Sequence, residues 1–124
     1  MKKVVVTGAS SGIGRETTNR LLKLGYTVIG VSRNIIKEDF NNENFIPIQA
    51  DLSNETSTLQ TCKKLSKENI YMLVNCAGFG RFEPHEELSS KTITDMVFLN
   101  LTTPMLLTNA LLRNLKQNDG YLIN

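Results

Sequence analysis

Short β-branched apolar runs alternate along this chain with longer stretches of helical spacing. Val4, Val5 and Val6 predict a strand over 4–6. Ile13, Thr17, Leu21 and Leu24 recur at helical intervals and predict a helix over 13–24, with Gly25 placed to end it. Strands are expected over 26–31 and 45–49. Residues 53–67 read as a second helix, with Ser53 as N-cap and Leu59, Cys62 and Leu65 as a thin apolar face. A fourth strand is expected over 71–74. Residues 92–115 then read as one long helix with a buried stripe through Ile93, Val97, Asn100, Pro104, Leu107 and Leu111, and a fifth strand over 121–123 follows Asp119-Gly120. The stretch 34–44 is polar and short, so the crossover there is expected to be stunted.

Strands alternating with helices imply an α/β fold, a parallel sheet with helices on both faces. Right-handed crossovers leave few topologies, and a doubly wound sheet of order 3-2-1-4-5 is the expected one. With no linker or repeat, residues 1–124 are expected to form a single unit.

Composition narrows the function classes. The 124 residues are 40% hydrophobic and 21% charged, with a formal net charge of +2. That charge is too small, and its Lys and Arg too scattered, to point to nucleic acid. No stretch approaches the roughly 20 apolar residues of a membrane span. The run 4–6 is too short for a signal-peptide core. Cys62 and Cys76 lie outside any metal-ligand spacing and read as reduced thiols, so no metal is expected and a cytoplasmic location is.

The candidate chemistry sits between the first strand and the first helix, in Thr7-Gly8-Ala9-Ser10-Ser11-Gly12-Ile13-Gly14. Gly8 allows a sharp turn out of the strand. Gly12 lets a pyrophosphate approach the backbone, and Gly14 lets the helix pack closely on the strand. The phosphates would meet free N–H groups at the positive end of the helix.

The spacing Gly-x-x-x-Gly-x-Gly, opened by Thr7, resembles the signature of the short-chain dehydrogenase/reductase family. Further marks follow in order. Asp51-Leu52 stands after the third strand, where the family's Asp contacts adenine. Asn75-Cys76-Ala77-Gly78 closes the fourth strand and matches the family's Asn-Asn-Ala-Gly, with Cys76 in place of one Asn. Asn100 stands in the long helix, as the family's catalytic Asn does. The resemblance covers the whole chain and implies a Rossmann-type sheet. It implies cofactor contacts from Gly8, Ser10, Ser11, Gly12, Ile13, Gly14, Asp51, Leu52, Asn75, Ala77 and Gly78. The segment Gly78-Phe79-Gly80, after the fourth strand, is expected to flank the nicotinamide ribose.

An acid at the end of the second strand would bind the adenosine ribose and select NAD. The strand ends instead in Ser32-Arg33, and a guanidinium suits a phosphate dianion. NADP rather than NAD is therefore the expected cofactor, with Ser32 and Arg33 on its 2′-phosphate. In the long helix, Asn100 is expected to be a buried amide. Pro104 has no N–H, so the Asn100 carbonyl lacks its ordinary helical donor. The resemblance gives that carbonyl the role of holding a water in a proton relay. The single histidine, His85, lies in a polar stretch and reads as surface.

The family protonates the developing alkoxide with a Tyr whose pKa is lowered by a Lys four residues on, aided by a Ser. Tyr26 and Tyr71 have Gly30 and Asn75 at that distance, and Tyr121 has no residue there. The expectation is an NADP-dependent oxidoreductase of small carbonyls and secondary alcohols, truncated before the remaining strands and inactive by itself. The alternative is a non-catalytic dinucleotide-binding or sensor module. An epimerase or dehydratase of the extended branch would space its glycines differently. A truncated sheet would expose its fifth strand and the leucines at 107, 111 and 115, so a homo-oligomer joined there is expected.

Overall fold

The computed structural model describes residues 1–124. In chain order the elements are β1 (Lys3–Thr7), α1 (Gly12–Lys23), β2 (Thr27–Ser32), β3 (Phe45–Gln49), α2 (Glu55–Leu65), β4 (Ile70–Asn75), α3 (Ser90–Val97), α4 (Thr103–Gln117) and β5 (Tyr121–Ile123). A single 3-10 turn, Lys37–Asp39, is all that forms in the crossover between β2 and β3. The five strands form one sheet in the order β3-β2-β1-β4-β5, every pairing parallel. This is a Rossmann-type doubly wound α/β sheet.

Alternation along the strands splits the core in two. Val5, Ile29, Val31 and Leu73 face α2 and α4, where they meet Cys62, Leu65, Leu107, Leu111 and Leu115. Val4, Val6, Val28, Met72 and Val74 face the other way, toward Leu22 of α1 and toward Ile35 and Phe45. The central strand β1 is closed on both faces, with Val4, Val5 and Val6 each 0% exposed.

The helices depart from expectation in ways that have physical causes. The buried face of α1 is Gly14, Thr18 and Leu22, one position on from the expected Ile13, Thr17, Leu21 and Leu24; Ile13 is 79% and Leu24 75% exposed. The contact is set by Gly14, where a Cβ would collide with the Gly8 carbonyl oxygen, so α1 turns its smallest residue to the strand end. Helix α2 begins later than expected and is capped by Asn54, not Ser53: the Asn54 side chain accepts from the Ser57 N–H at 2.9 Å. Its buried face is Thr58, Thr61, Cys62 and Leu65, while Leu59 lies outside it.

The expected single long helix is α3 and α4 joined by a π-helical turn, Phe98–Thr102. Pro104, near the start of α4, cannot donate to the Asn100 carbonyl, and the ladder shifts register there. The change in winding rotates the stripe. Val97 and Asn100 are exposed rather than buried, and Thr103, Leu107, Leu111 and Leu115 carry the contact with the sheet. These leucines are therefore core residues and not free to join two molecules. No helix is long and apolar enough to cross a membrane.

Candidate functional site: a cleft at the carboxyl ends of the strands

The strand order reverses at β1, and the segments leaving β1, β2, β3 and β4 converge on one side of the sheet. In an open α/β sheet that crevice is where ligands bind. Gly8, at φ +64°, turns the chain sharply out of β1. The turn also lies close to the segment after β4, because a Cβ on Gly8 would stand 2.9 Å from the Ala77 backbone. Thr7 ties the two together: its buried hydroxyl oxygen accepts from the N–H groups of Cys76 and Ala77 at 3.1 and 3.0 Å.

A cavity of about 610 Å³ occupies the crevice. Its walls bring together all the expected cofactor residues except Asn75: Gly8, Ser10, Ser11, Gly12, Ile13 and Gly14 from the turn, Ser32 and Arg33 after β2, Asp51 and Leu52 after β3, and Ala77 and Gly78 after β4. Asn75 and Asn100 instead line a neighbouring cavity with Leu101, Pro104, Met105, Leu122 and Asn124. The side-chain amide of Asn75 donates to Asn124 Oδ1 at 2.8 Å, while its own Oδ1 is buried with no partner.

The turn suits a diphosphate. Ser11 is the N-cap of α1, but its side chain makes no capping hydrogen bond and the first turn holds no acid. The leading N–H groups of a helix have no partner within the helix. Here the glycine turn lines the cavity, and beyond its chain neighbours and its own helix backbone nothing lies within 4 Å of where a Cβ of Gly12 would stand, at φ +55°. Backbone donors and the positive end of a helix dipole thus border open space. The residues present fit a dinucleotide in this respect.

On the β2 side, the Ser10 and Ser32 hydroxyls share a hydrogen bond of 2.7 Å, which links the glycine turn to the strand end. Arg33 beside them is exposed and carries no acid partner in an ion pair. After β3, the Asp51 carboxylate accepts from the Ser53 N–H at 3.0 Å and its hydroxyl at 2.6 Å. The Ser53 hydroxyl is the main reason Asp51 titrates below the usual carboxylate range; the charges of Arg33 and Lys91 add to the effect and partial burial opposes it. Ser53 thus serves Asp51, while Asn54, one residue before α2, caps the helix. Burial pushes the Cys76 thiol above its usual range.

The Asn100 side chain does not point into the core. Its Oδ1 accepts from the Phe79 N–H at 3.1 Å and its Nδ2 donates to the Phe79 carbonyl at 2.6 Å. The sequence reading missed this pairing, and it missed Arg81, Asp95 and Leu99 on the cavity wall. Asp95 and Leu99 lie off the stripe the sequence suggested, and the change of winding at Phe98–Thr102 that repositions this face was not legible. Nothing local marked Arg81. His85 lies in an exposed single turn away from the cavity.

The chain is similar to known proteins in sequence and fold. Over 129 residues the chain is 29% identical to a benzil reductase, (S)-benzoin forming, of Bacillus cereus, covering 94% of this chain and 52% of that one. A short-chain dehydrogenase of Sphingobium yanoikuyae, solved in complex with NADPH, superposes with a TM-score of 0.88 at 25% identity over 98% of this chain and 52% of its own. One of Leptospira borgpetersenii, solved with NAD⁺, gives 0.84 at 29% identity over 98% of this chain and 49% of its own. The chain spans about half the length of the relatives it matches. The short chain dehydrogenase family matches residues 2–124; with the glycine turn, the strand order and the cleft, this chain belongs to that family.

Proposed function

We propose that this chain is the cofactor-binding portion of an NADP-dependent oxidoreductase that exchanges hydride between the nicotinamide and a small carbonyl compound or secondary alcohol. The observation that carries this reading is the uncapped N-terminus of α1, opening with its glycine turn into a cleft whose β2 wall ends in Ser32 and Arg33. The benzil reductase of Bacillus cereus supports carbonyl reduction. The solved relatives include an NADPH complex and an NAD⁺ complex, so the preference for NADP rests on the Arg33 guanidinium and the lack of an acid at that strand end.

Residues 1–124 then act as one dinucleotide-binding unit. The glycine turn takes the pyrophosphate, and Ser32 and Arg33 take the 2′-phosphate. Asp51 and Leu52 border the adenine; Asn75, Ala77 and Gly78 border the nicotinamide side. When bound, the nicotinamide supplies or accepts the hydride. The Asn100 backbone carbonyl, denied its ordinary donor by Pro104, holds a water for proton transfer. Tyr26 and Tyr71 have Gly30 and Asn75 four residues on, so neither supplies the Lys-supported acid that hydride transfer needs, and residues 1–124 by themselves are not expected to turn over. The exposed strand β5 supports self-association.

Calorimetric titration of the chain with NADPH and NADH tests the reading. NADPH should bind tighter by roughly tenfold to a hundredfold, the worth of a charge-assisted phosphate contact. Equal affinities would refute the NADP preference, and binding of neither would refute the dinucleotide reading. NADPH oxidation with a panel of ketones should show no rate dependent on this chain.

A further inference from the structure

The proposed NADP site leaves one cation unexplained. Arg33 and Arg81 are the only Lys or Arg side chains that line the cavity. The sheet order sets β2 and β4 on either side of β1, so Arg33 and Arg81 line the cavity from opposite flanks of the glycine turn. A 2′-phosphate and a pyrophosphate sit on opposite sides of the adenosine ribose, and one guanidinium cannot serve both.

Arg81 stands on the cavity wall after β4. Its backbone leaves β4 through a segment anchored at Cys76 and Ala77 by Thr7 and at Phe79 by Asn100. The guanidinium itself is loosely held. Its one ionic neighbour is Glu83, at 3.6 Å, and the side chain is 54% exposed. Across the cavity, Asp95 is already paired with Lys91 at 2.6 Å and so is not a competing partner for Arg81. A half-exposed arginine can exchange a loose carboxylate for two parallel hydrogen bonds to phosphate oxygens.

We propose that Arg81 is a second phosphate-binding residue that contacts the pyrophosphate of the dinucleotide from the β4 side. This rests on the dinucleotide reading above. It divides the labour: Arg33 sets the preference for the 2′-phosphate, and Arg81 adds affinity that NADP and NAD share.

The test titrates NADPH, NADH and adenosine 2′-monophosphate into the unmutated chain and into Arg81→Gln, Arg81→Lys and Arg33→Ala, each checked for an unchanged melting temperature. Arg81→Gln should weaken NADPH and NADH by the same factor, about threefold to tenfold, as a partly exposed charge pair would. The difference should shrink with added salt. Arg81→Lys should recover part of it, and adenosine 2′-monophosphate should bind Arg81→Gln unchanged. Arg33→Ala should weaken only NADPH and adenosine 2′-monophosphate. Unchanged binding of both dinucleotides by Arg81→Gln, or weakening of NADPH alone, overturns the assignment of Arg81 and leaves the dinucleotide reading standing. If the unmutated chain binds neither dinucleotide, both fall together.

Discussion

Asn100 and Phe79, on separate elements, form a two-point amide pair: the Asn100 Nδ2 donates to the Phe79 carbonyl at 2.6 Å, and the Phe79 N–H donates to Asn100 Oδ1 at 3.1 Å. The π-helical turn that carries Asn100 is thereby fastened to the segment leaving β4, which forms one wall of the cleft. Asn100→Ala should lose both bonds and cost about 1–2 kcal/mol in stability. The local effect should be larger, with the Phe79 amide exchanging with solvent faster while amides of β1 stay protected. Asn100→Asp keeps an acceptor for the Phe79 N–H but sets a carboxylate against the Phe79 carbonyl, so it should loosen the segment too. Hydrogen exchange followed by NMR reads both; an unchanged Phe79 rate in Asn100→Ala would show that the pair does not hold the segment.

Two glycines of the same turn should respond differently to one methyl group. At Gly14 a Cβ meets the Gly8 carbonyl oxygen and the Thr7 carbonyl, both rigid backbone, so Gly14→Ala should destabilise by about 2–4 kcal/mol. At Gly12 the Cβ meets nothing, and only the positive φ of 55° opposes it. Gly12→Ala should cost about 1–2 kcal/mol in stability and should weaken dinucleotide binding by filling the approach to the turn. Thermal unfolding with titration of NADPH separates the two effects. A Gly14→Ala protein as stable as the parent would mean that α1 can move off β1.

The Asp51–Ser53 contact makes a pH-dependent contribution of known sign. The folded-state pKa of Asp51 is lowered, so its stabilisation is present above the unfolded carboxylate value of about 4 and is lost as pH falls through the folded value. Ser53→Ala removes the hydroxyl that contributes most, and Asp51 should then titrate nearer the ordinary range. The stability difference between Ser53→Ala and the parent should be largest near neutral pH and should vanish in acid. Asp51 is exposed, so the effect is small, and an NMR titration of its carboxyl carbon is the direct measurement. A difference that grows toward low pH would contradict the sign.

Strand β5 leaves Tyr121 56%, Leu122 41% and Ile123 46% exposed, and only β4 pairs with it. A parallel strand with one unpaired edge and apolar side chains invites pairing with another chain. Residues 1–124 by themselves should self-associate at micromolar concentration, through Tyr121, Leu122 and Ile123 and not through Leu107, Leu111 and Leu115, which are packed against the sheet. Leu122→Lys should shift the population toward monomer in light scattering. A monodisperse monomer of the unmutated chain would show that this edge is tolerated.

What the sequence determined by itself was everything that local periodicity and punctuation encode. Strand β3 and strand β5 were legible to the residue, because a β-branched or aromatic run bounded by Asn44, or by Asp119-Gly120, has one reading. The glycine turn and the sheet order followed from spacing and from the handedness of crossovers. Most of the expected site residues, several of them pointed to by the family resemblance, line the main cavity because each stands at or just after the end of a strand and the strand ends meet on one side of a parallel sheet; Arg81, Asp95 and Leu99 were not among them.

The tertiary structure decided what depends on contacts through space. Which face of α1 is buried turns on the approach of Gly14 to Gly8, a steric fact of two backbones that a hydrophobic period cannot report. The winding between α3 and α4 turns on what the freed carbonyls do around Pro104, and that choice brought Thr103, not Asn100, to the core. The partner of Asn100, Phe79, lies on a segment fixed by other hydrogen bonds, above all those of Thr7. A side chain's chemistry can be read from its letter, but its partner is set by the packing of elements far away in sequence.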